Sequence, residues 1–328
     1  MNYIVFDLEW NQTINQNNKN KTDALQFEII EVGAVMLDED FNEISRYSSL
    51  IKPVLHRKIH PIIREITKIT DEDLQTERDF KTVISEFFQW CGEDYILCTY
   101  GNQDLMELQN NLEYHGINSP EPGVQWSYPM MYIDVQKIFG LAQNENNEQR
   151  SLESAVMQLN LAQDKEFHRA LEDAVYTGQI LAKLERDLIS ENYSLDYYRI
   201  PKTKQEEKEI KISGHNEFIS MGYENKEDLL EQPYLYVTRC VICDRKCRKK
   251  IKWFTDNSKY TCISVCPEHG IMEGTIHVKQ NRIRNIYYAI RKVSLINNEE
   301  LENIIAKKEN IKERRRLKRQ REKNKKLL

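Results

Sequence analysis

The sequence lacks any apolar run of about 18 residues, the length that crosses the hydrocarbon core of a membrane. It also opens directly on a strand-like segment, YIVFDLEW, without the basic region and cleavable apolar segment of a signal peptide. These two absences argue against a membrane protein and against a secreted one. We therefore expect a cytoplasmic protein that has no membrane partner.

Cysteine is scarce over most of the chain. Only two of the seven cysteines, Cys91 and Cys98, precede residue 239, and both lie in apolar segments. Such cysteines are expected to be buried free thiols. The other five cluster after residue 239, where their spacing becomes informative.

Positive charge is also unevenly distributed. The net charge of the 328-residue chain is -5, but residues 233–328 contain 25 Lys and Arg against 10 Asp and Glu, a balance of +15, which leaves -20 for the remainder. A chain of this length predicts two domains. The basic end is the part expected to attract a polyanion such as nucleic acid.

Two acidic residues alternate along the first apolar segment. Asp7 and Glu9 stand at i and i+2 of YIVFDLEW, so on a strand their side chains project from the same face. Two like charges in apolar surroundings repel each other unless a cation lies between them. Mg2+ and Mn2+ prefer oxygen ligands of this kind, and the pair therefore predicts a divalent metal site.

Three further residues suit the same site. Asp104 follows the apolar segment 95–100 and opens a helical run, although an Asp in a first helical turn is also common because of the helix dipole. His168 and Asp173 lie near the start of a helix expected to run to about residue 188. Five residues turn a helix by about 500°, so the two side chains flank one site without binding the same ion. The alternative for His168 is an ordinary surface histidine.

Taken in order, these motifs resemble those of the DEDDh group of 3'-to-5' exonucleases. The resemblance covers about residues 1–190 and includes FEIIEVGAVMLDEDF and HPIIREITKITDEDL between the acidic motifs. In the tyrosine variant of that superfamily the general base stands four residues before the last Asp, a position held here by Arg169. His168, five residues before Asp173, makes this the histidine type.

The resemblance implies a ribonuclease H-like α/β domain with a mixed five-stranded sheet and flanking helices. We expect three antiparallel strands near residues 3–10, 27–37 and 43–51, and two parallel strands at 95–99 and 131–135. Helices are expected on both faces of this sheet.

The resemblance also implies a reaction, the metal-dependent hydrolysis of phosphodiesters at 3' ends. The pair of Mg2+ or Mn2+ ions, about 3.5 to 4 Å apart, would be held by four carboxylates: Asp7, Glu9, Asp104 and Asp173. His168 would accept the proton of the attacking water. The expected partner is the 3' end of single-stranded RNA or DNA; the residues favour neither, since contacts to the 2'-hydroxyl are often made by backbone.

Two other functions are compatible with such a domain. One is a nucleic-acid-binding adaptor with an inactive nuclease fold, against which the complete acidic set argues. The other is the proofreading subunit of a polymerase, which requires a partner-binding segment that the sequence does not reveal.

The later cysteines have zinc-site spacing. Cys240-x2-Cys243 is followed at a distance by CISVCPEHG, and in a reducing compartment paired cysteines favour metal over a disulfide. We expect one structural Zn2+ on four ligands: Cys240, Cys243, Cys266 and His269. Cys262 is the alternative fourth ligand, and Cys247 is then a spare thiol. The nearby aromatic residues Trp253, Phe254 and Tyr260, interleaved with lysines, either stack nucleic acid bases or form the small core of the module.

We therefore divide the chain into an exonuclease domain (1–190), a connector (191–232), a zinc-ribbon-like module (233–280) and a basic helical tail (281–328). Residues 307–328 carry 12 Lys and Arg against three Glu. Such tails are attracted to nucleic acid, and a nuclear localisation signal has a similar composition.

Overall fold

The structure is a computed structural model that describes residues 1–13, 25–117, 130–143, 150–162, 167–196, 200–212, 214–256, 259–281 and 284–325. The chain divides into two compact units, Met1–Arg199 and Ile200–Leu328. Within the described ranges, no helix combines the length and the apolar composition that crossing a bilayer requires.

The first unit is built on a six-stranded mixed sheet with the order β3-β2-β1-β4-β5-β6. The first three strands pair antiparallel, β4 and β5 continue in parallel, and β6 pairs antiparallel with β5. The five predicted strands are confirmed. The sixth is a three-residue edge strand, too short to show a periodic pattern in the sequence. The strands are β1 Asn2–Gln12, β2 Phe27–Leu37, β3 Glu43–Leu50, β4 Tyr95–Thr99, β5 Met130–Asp134 and β6 Ser194–Asp196.

Helices cover both faces of this sheet, as predicted. They are α1 Pro61–Thr67, α2 Asp71–Gln75, α3 Phe80–Cys91, α4 Gln103–Tyr114, α5 Val135–Ala142, α6 Leu152–Gln158, α7 Ala170–Leu181 and α8 Arg186–Glu191.

Successive side chains of β1 point to opposite faces of the sheet, and each face carries its own hydrophobic cluster. Ile4 and Phe6 pack on one face with residues of α3 and α4, whereas Val5 packs on the other face with residues of α5, α6 and α7. Asp7 and Glu9 continue the face of Val5. The two acids therefore project from the side of the sheet on which α7 lies.

Helix α7 approaches the sheet unusually closely. A Cβ atom on Gly33 of β2 would stand 2.0 Å from the backbone nitrogen of Leu171, so only glycine permits this contact. The helix begins at Ala170 and ends at Leu181, whereas the sequence predicted a longer helix that starts near His168 and runs to about residue 188. His168 lies before the helix with a φ of 68°, a left-handed conformation that no helical residue adopts.

The second unit contains an antiparallel sheet of six strands in the order β7-β8-β12-β11-β10-β9. Short helices precede its third strand in sequence, and a long basic helix follows its last. The elements are β7 Lys208–Ile212, β8 His215–Ile219, α9 Lys226–Leu230, a 3-10 helix Pro233–Tyr236, β9 Arg248–Asp256, β10 Lys259–Cys266, β11 Gly270–Asn281, β12 Ile286–Ile296 and α10 Asn298–Lys325.

This sheet corrects the predicted division of the chain after residue 190. Strands β7 and β8 come from the expected connector 191–232, and β12 comes from the expected helical tail 281–328. All three strands nevertheless belong to the same sheet as the cysteine-bearing strands. In β12 the buried residues Ala289, Arg291 and Val293 alternate with less buried ones, which is the two-residue period of a strand. Only α10, Asn298–Lys325, forms the helix expected in the basic tail.

Candidate active site

The carboxylates predicted on the first strand converge with the last one on α7. One carboxylate oxygen each from Asp7, Glu9 and Asp173 lies within 4.8 Å of the other two. Asp7 and Glu9 share a face of β1, and a register shift between Glu9 and Trp10 interrupts the pairing with β2, which resumes from Trp10. Irregular pairing of this kind often re-aims a side chain beside a site. The three oxygens are spaced as ligands of a metal ion.

Asp104 joins this cluster from α4. It lies in the first turn of the helix, is only 5% exposed, and its Oδ1 accepts a hydrogen bond of 3.1 Å from the backbone N–H of Leu8. That bond fixes the carboxylate to β1 between Asp7 and Glu9. Within the described ranges, Asp104 is not one of the three acids whose oxygens lie within 4.8 Å of one another. Its negative charge nevertheless raises the pKa of Asp7.

Burial and neighbouring negative charges raise the pKa of every carboxyl in the cluster. Burial, followed by the charge of neighbouring acids, raises the pKa of Glu9 to about 8 and that of Asp7 well above its ordinary value. Burial raises the pKa of Asp104 to about 7, although the hydrogen bond from Leu8 opposes the increase. Burial also raises the pKa of Asp173 to about 6. A bound cation would remove the repulsion that these shifts reflect.

One oxygen of Asp173 lacks a partner, which fits a metal ligand. Its Oδ2 accepts a hydrogen bond of 3.1 Å from the backbone N–H of His168, but Oδ1 is buried and has no hydrogen-bond partner in the part of the chain that the structure describes. A buried acceptor without a partner costs about 1 to 3 kcal/mol. Hard divalent cations satisfy such an oxygen, so the residues present fit Mg2+ or Mn2+.

His168 borders this cluster through its backbone. Its side chain is exposed, and its left-handed backbone is held by the bond from its N–H to Asp173. The structure thus brings all five residues predicted from the sequence to one region. The spacing of the last motif, which places His168 before the helix and Asp173 inside it, lets the backbone of one residue bind the side chain of the other.

An ion pair beside the site, between a buried carboxylate and a half-exposed arginine, was not predicted from the sequence. Glu31 on β2 is 1% exposed and accepts a forked hydrogen bond from Arg169, with distances of 3.1 Å to Nε and 2.7 Å to Nη2. Glu31 also accepts from the backbone N–H of Ala170 at 3.3 Å, and so caps the start of α7. A glutamate inside the apolar segment FEIIEVGAV was the available signal, because a buried charge requires a partner.

The four predicted zinc ligands also converge. Their ligand atoms all lie within 4.8 Å of one another, with 3.8 Å between the sulfurs of Cys243 and Cys266 and 3.6 Å between Cys266 Sγ and His269 Nδ1. Burial raises the pKa of the Cys266 thiol, but hydrogen bonds from Glu268 and His269 outweigh it and lower the pKa to about 6. Three sulfurs and one imidazole nitrogen fit a structural Zn2+. The four residues are Cys240, Cys243, Cys266 and His269.

The two remaining cysteines of this region do not belong to that group of four. Cys262 lies within β10 opposite Gly274, and burial raises the pKa of its thiol to about 12. Cys247 is buried next to the group, and burial together with the neighbouring thiols raises its pKa to about 11. The geometry therefore supports His269 over Cys262 as the fourth ligand.

Two left-handed residues shape the loops that carry these ligands. Asp244 follows Cys243 with a φ of 58°, and Gly270 follows His269 with a φ of 94°. Each reverses the chain directly after a ligand, and Asp244 donates its N–H to the carbonyl of Cys240 at 2.9 Å. An ion pair of 2.6 Å between Arg245 and Glu268 joins the two loops.

The fold and the acidic cluster together define a nuclease domain of the ribonuclease H-like type. The model of the exonuclease family RNase_T matches residues 4–181, more than half of the chain. The protein belongs to this exonuclease family, as its motifs predicted.

The curated relatives are much larger proteins. The chain is 33% identical over 157 residues to the PolC-type DNA polymerase III of Thermotoga petrophila and 32% identical over 157 residues to that of Thermotoga maritima; each match covers 48% of this chain and 10% of the polymerase. The chain thus matches about a tenth of the length of these relatives. Among solved structures, the nuclease domain of 3'hExo, a DEDDh family member bound to rAMP, is 17% identical with a TM-score of 0.49, over 59% of this chain and 96% of that one.

Proposed function

We propose that this protein is a metal-dependent 3'-to-5' exonuclease that acts on single-stranded nucleic acid. The observation that carries the proposal is the convergence of Asp7, Glu9 and Asp173 within 4.8 Å, beside Asp104, in the domain that matches the exonuclease family. A site in which four acids repel each other, and one buried oxygen lacks a partner, is costly unless it binds cations.

The four carboxylates are the proposed ligands of two Mg2+ or Mn2+ ions. When bound, such ions supply a hydroxide nucleophile and neutralise the charge that develops on the leaving oxygen. The protein contributes the positions of the oxygens. Leu8 fixes Asp104, His168 fixes one oxygen of Asp173, and the contact at Gly33 fixes the helix that carries Asp173.

His168 is the proposed general base. Its imidazole accepts a proton from the attacking water, whose oxygen bonds to the last phosphorus of the strand. The bond from that phosphorus to the 3'-oxygen of the preceding nucleotide then breaks, and this oxygen takes a proton from solvent. A nucleoside 5'-monophosphate leaves, and the shortened strand has a new 3'-hydroxyl. Histidine suits this role because its pKa ordinarily lies near neutrality.

We further propose a division of labour between the two units. Met1–Arg199 carries every proposed catalytic residue, and Ile200–Leu328 carries the proposed structural zinc site and the excess of basic residues. A zinc ion with four protein ligands leaves no position for substrate, so it stabilises the second unit and does not catalyse.

The experiment is digestion of matched RNA and DNA oligonucleotides labelled at the 5' end. Free 3' ends should give a ladder of products shortened one nucleotide at a time, and strands with blocked 3' ends should persist. Comparison of the two sugars identifies the preferred substrate. Equal cleavage of blocked strands, or release of labelled mononucleotide at the earliest times, would contradict the proposed polarity.

Proofreading is a second candidate, favoured by the 33% identity to a PolC-type polymerase. A proofreading exonuclease should excise a mismatched 3' nucleotide of a DNA duplex faster than a matched one, and should bind a polymerase. Equal excision of both ends, with no polymerase retained by the immobilised protein, would remove this candidate.

A further inference from the structure

A groove separates the edge strand of the second sheet from the long basic helix. Strand β9 is the last strand of that sheet, and α10 lies beside it: the guanidinium of Arg315 donates to the carbonyl oxygen of Thr255 at 2.9 Å and to its hydroxyl at 2.7 Å. The groove has a volume of about 590 Å³. Its lining includes Phe254, Lys308, Ile311, Lys312, Arg315 and Arg316.

Only one of the three aromatic residues noted in the sequence reaches this groove. Trp253 and Tyr260 pack into a cluster with residues of α9 and the 3-10 helix, and the indole N–H of Trp253 donates to the carbonyl of Tyr236 at 3.1 Å. Phe254 instead lines the groove and is only half-buried. Lys250 and Lys252, on the same strand, are exposed.

The helix turns one positively charged side toward Phe254. Lys312, Arg315 and Arg316 follow Lys308 by four, seven and eight residues, which keeps the four side chains within about 100° around the helix axis. The ammonium of Lys308 stands 5.9 Å from the centre of the Phe254 ring. Four cations line the groove, and no carboxylate does so within the described ranges.

We propose that this groove binds single-stranded nucleic acid, with a base stacked on Phe254 and the phosphates held by Lys308, Lys312 and Arg316. The combination of an aromatic face with a row of cations is the one that such strands require, whereas a duplex has no free base to offer the ring. The proposal rests on the proposed function for the class of ligand only. It assigns to the second unit a binding site separate from the catalytic carboxylates.

The test measures binding of the full chain to a fluorescent 20-nucleotide strand with a blocked 3' end, by anisotropy, without divalent ions and at several salt concentrations. The Lys312→Gln/Arg316→Gln variant should bind at least tenfold more weakly at low salt. Its plot of log Kd against log salt should be shallower by about 1.4, since each phosphate contact on a single strand contributes about 0.7. The matched control is Lys307→Gln/Arg314→Gln, which removes the same charge from the opposite side of the helix and should keep the slope.

Variants at Phe254 distinguish base stacking from attraction of the phosphates by positive charge. Phe254→Ala should weaken binding of the strand by about tenfold with an unchanged salt slope, Phe254→Trp should retain it, and neither should alter binding of inorganic polyphosphate. The proposal would be overturned if the two glutamine double variants lost strand binding equally, or if Phe254→Ala weakened polyphosphate binding as much as strand binding. Tighter binding to phosphatidylglycerol vesicles than to the strand, dependent on the same residues, would also overturn it.

Hydrolysis of thymidine 5'-p-nitrophenyl phosphate, a substrate too small to span a second site, reports the catalytic unit separately. If that hydrolysis is absent while the groove variants behave as expected, the proposed function fails and the groove stands. If hydrolysis is normal and the groove variants bind like the wild type, the groove fails alone.

Discussion

Replacing Asp173 by Asn should stabilise the metal-free protein at neutral and alkaline pH. The Asp173 carboxylate is 8% exposed and lies within 4.8 Å of Asp7 and Glu9. Asparagine keeps an oxygen that can accept the bond from His168, and its amide donates to a neighbouring carboxylate. The substitution therefore removes one of the repelling charges without leaving an empty space.

The magnitude follows from the pKa of Asp173, which burial raises from 3.8 to about 6. One pKa unit corresponds to about 1.4 kcal/mol, so the difference of about two units is worth about 3 kcal/mol. Because the folded state binds this proton more tightly, its contribution is fully present below pH 4 and is lost as the pH rises through 6. Over this pH interval the free energy of unfolding of the wild type should thus fall by about 3 kcal/mol, and that of the variant should not.

The measurement is urea unfolding of the metal-free protein at pH 4 and pH 8, with each of the two units fitted separately. Asp187→Asn is the matched control, because Asp187 also lies in the first turn of a helix but is exposed. Mn2+ should stabilise the wild type more than the Asp173 variant, since it binds only the folded site. Identical pH dependence in the wild type and the Asp173 variant would refute the electrostatic account of the cluster.

Three further predictions test the remaining parts of both sites. His168→Ala should lower kcat by about 10² to 10⁴ with unchanged Mn2+ binding by calorimetry, and an unaltered pH–rate profile would exclude a general base at this position. Arg169→Ala leaves the buried carboxylate of Glu31 without its ion-pair partner and should lower the free energy of unfolding by about 2 kcal/mol, less than the roughly 3 to 5 kcal/mol of a fully buried pair, because Arg169 is 43% exposed. The double variant with Glu31→Gln should recover most of this loss, and additive losses would argue against coupling. Cys266→Ser should lose about one zinc per chain, measured by elemental analysis, and should destabilise the second unit without affecting cleavage of short strands. The control variant Cys262→Ser should keep the metal.

The acidic residues that converge in the structure could be proposed from the sequence because they belong to short local patterns. Asp7 and Glu9 are read from the two-residue period of a strand, and the pairing of His168 with Asp173 needs only five residues of chain. The positive φ of His168 was not predictable, because it depends on a hydrogen bond to a side chain whose direction the helix sets.

The second unit was harder to predict because its order depends on distant pairing. The segment IYYAIRKVSLI was predicted as part of the helical tail, and it is a strand because β8 and β11 pair with its two edges. Glu31 was overlooked for a related reason: its partner Arg169 lies 138 residues away. The preference for His269 over Cys262 was already available from the sequence, because the segment CPEHG brings Cys266 and His269 close together along the chain.

Because Gly33 has no side chain, the distance between the carboxylates of β1 and that of Asp173 is set by a contact between two backbones. Gly33 pairs with Asp7 in the sheet and also touches the backbone at Leu171, two residues before Asp173. A single methyl group there would push the helix outward and carry one ligand away from the others, although every ligand would still be present. Position 33 should therefore behave in a mutational scan like a catalytic residue, while it contributes no atom to the chemistry.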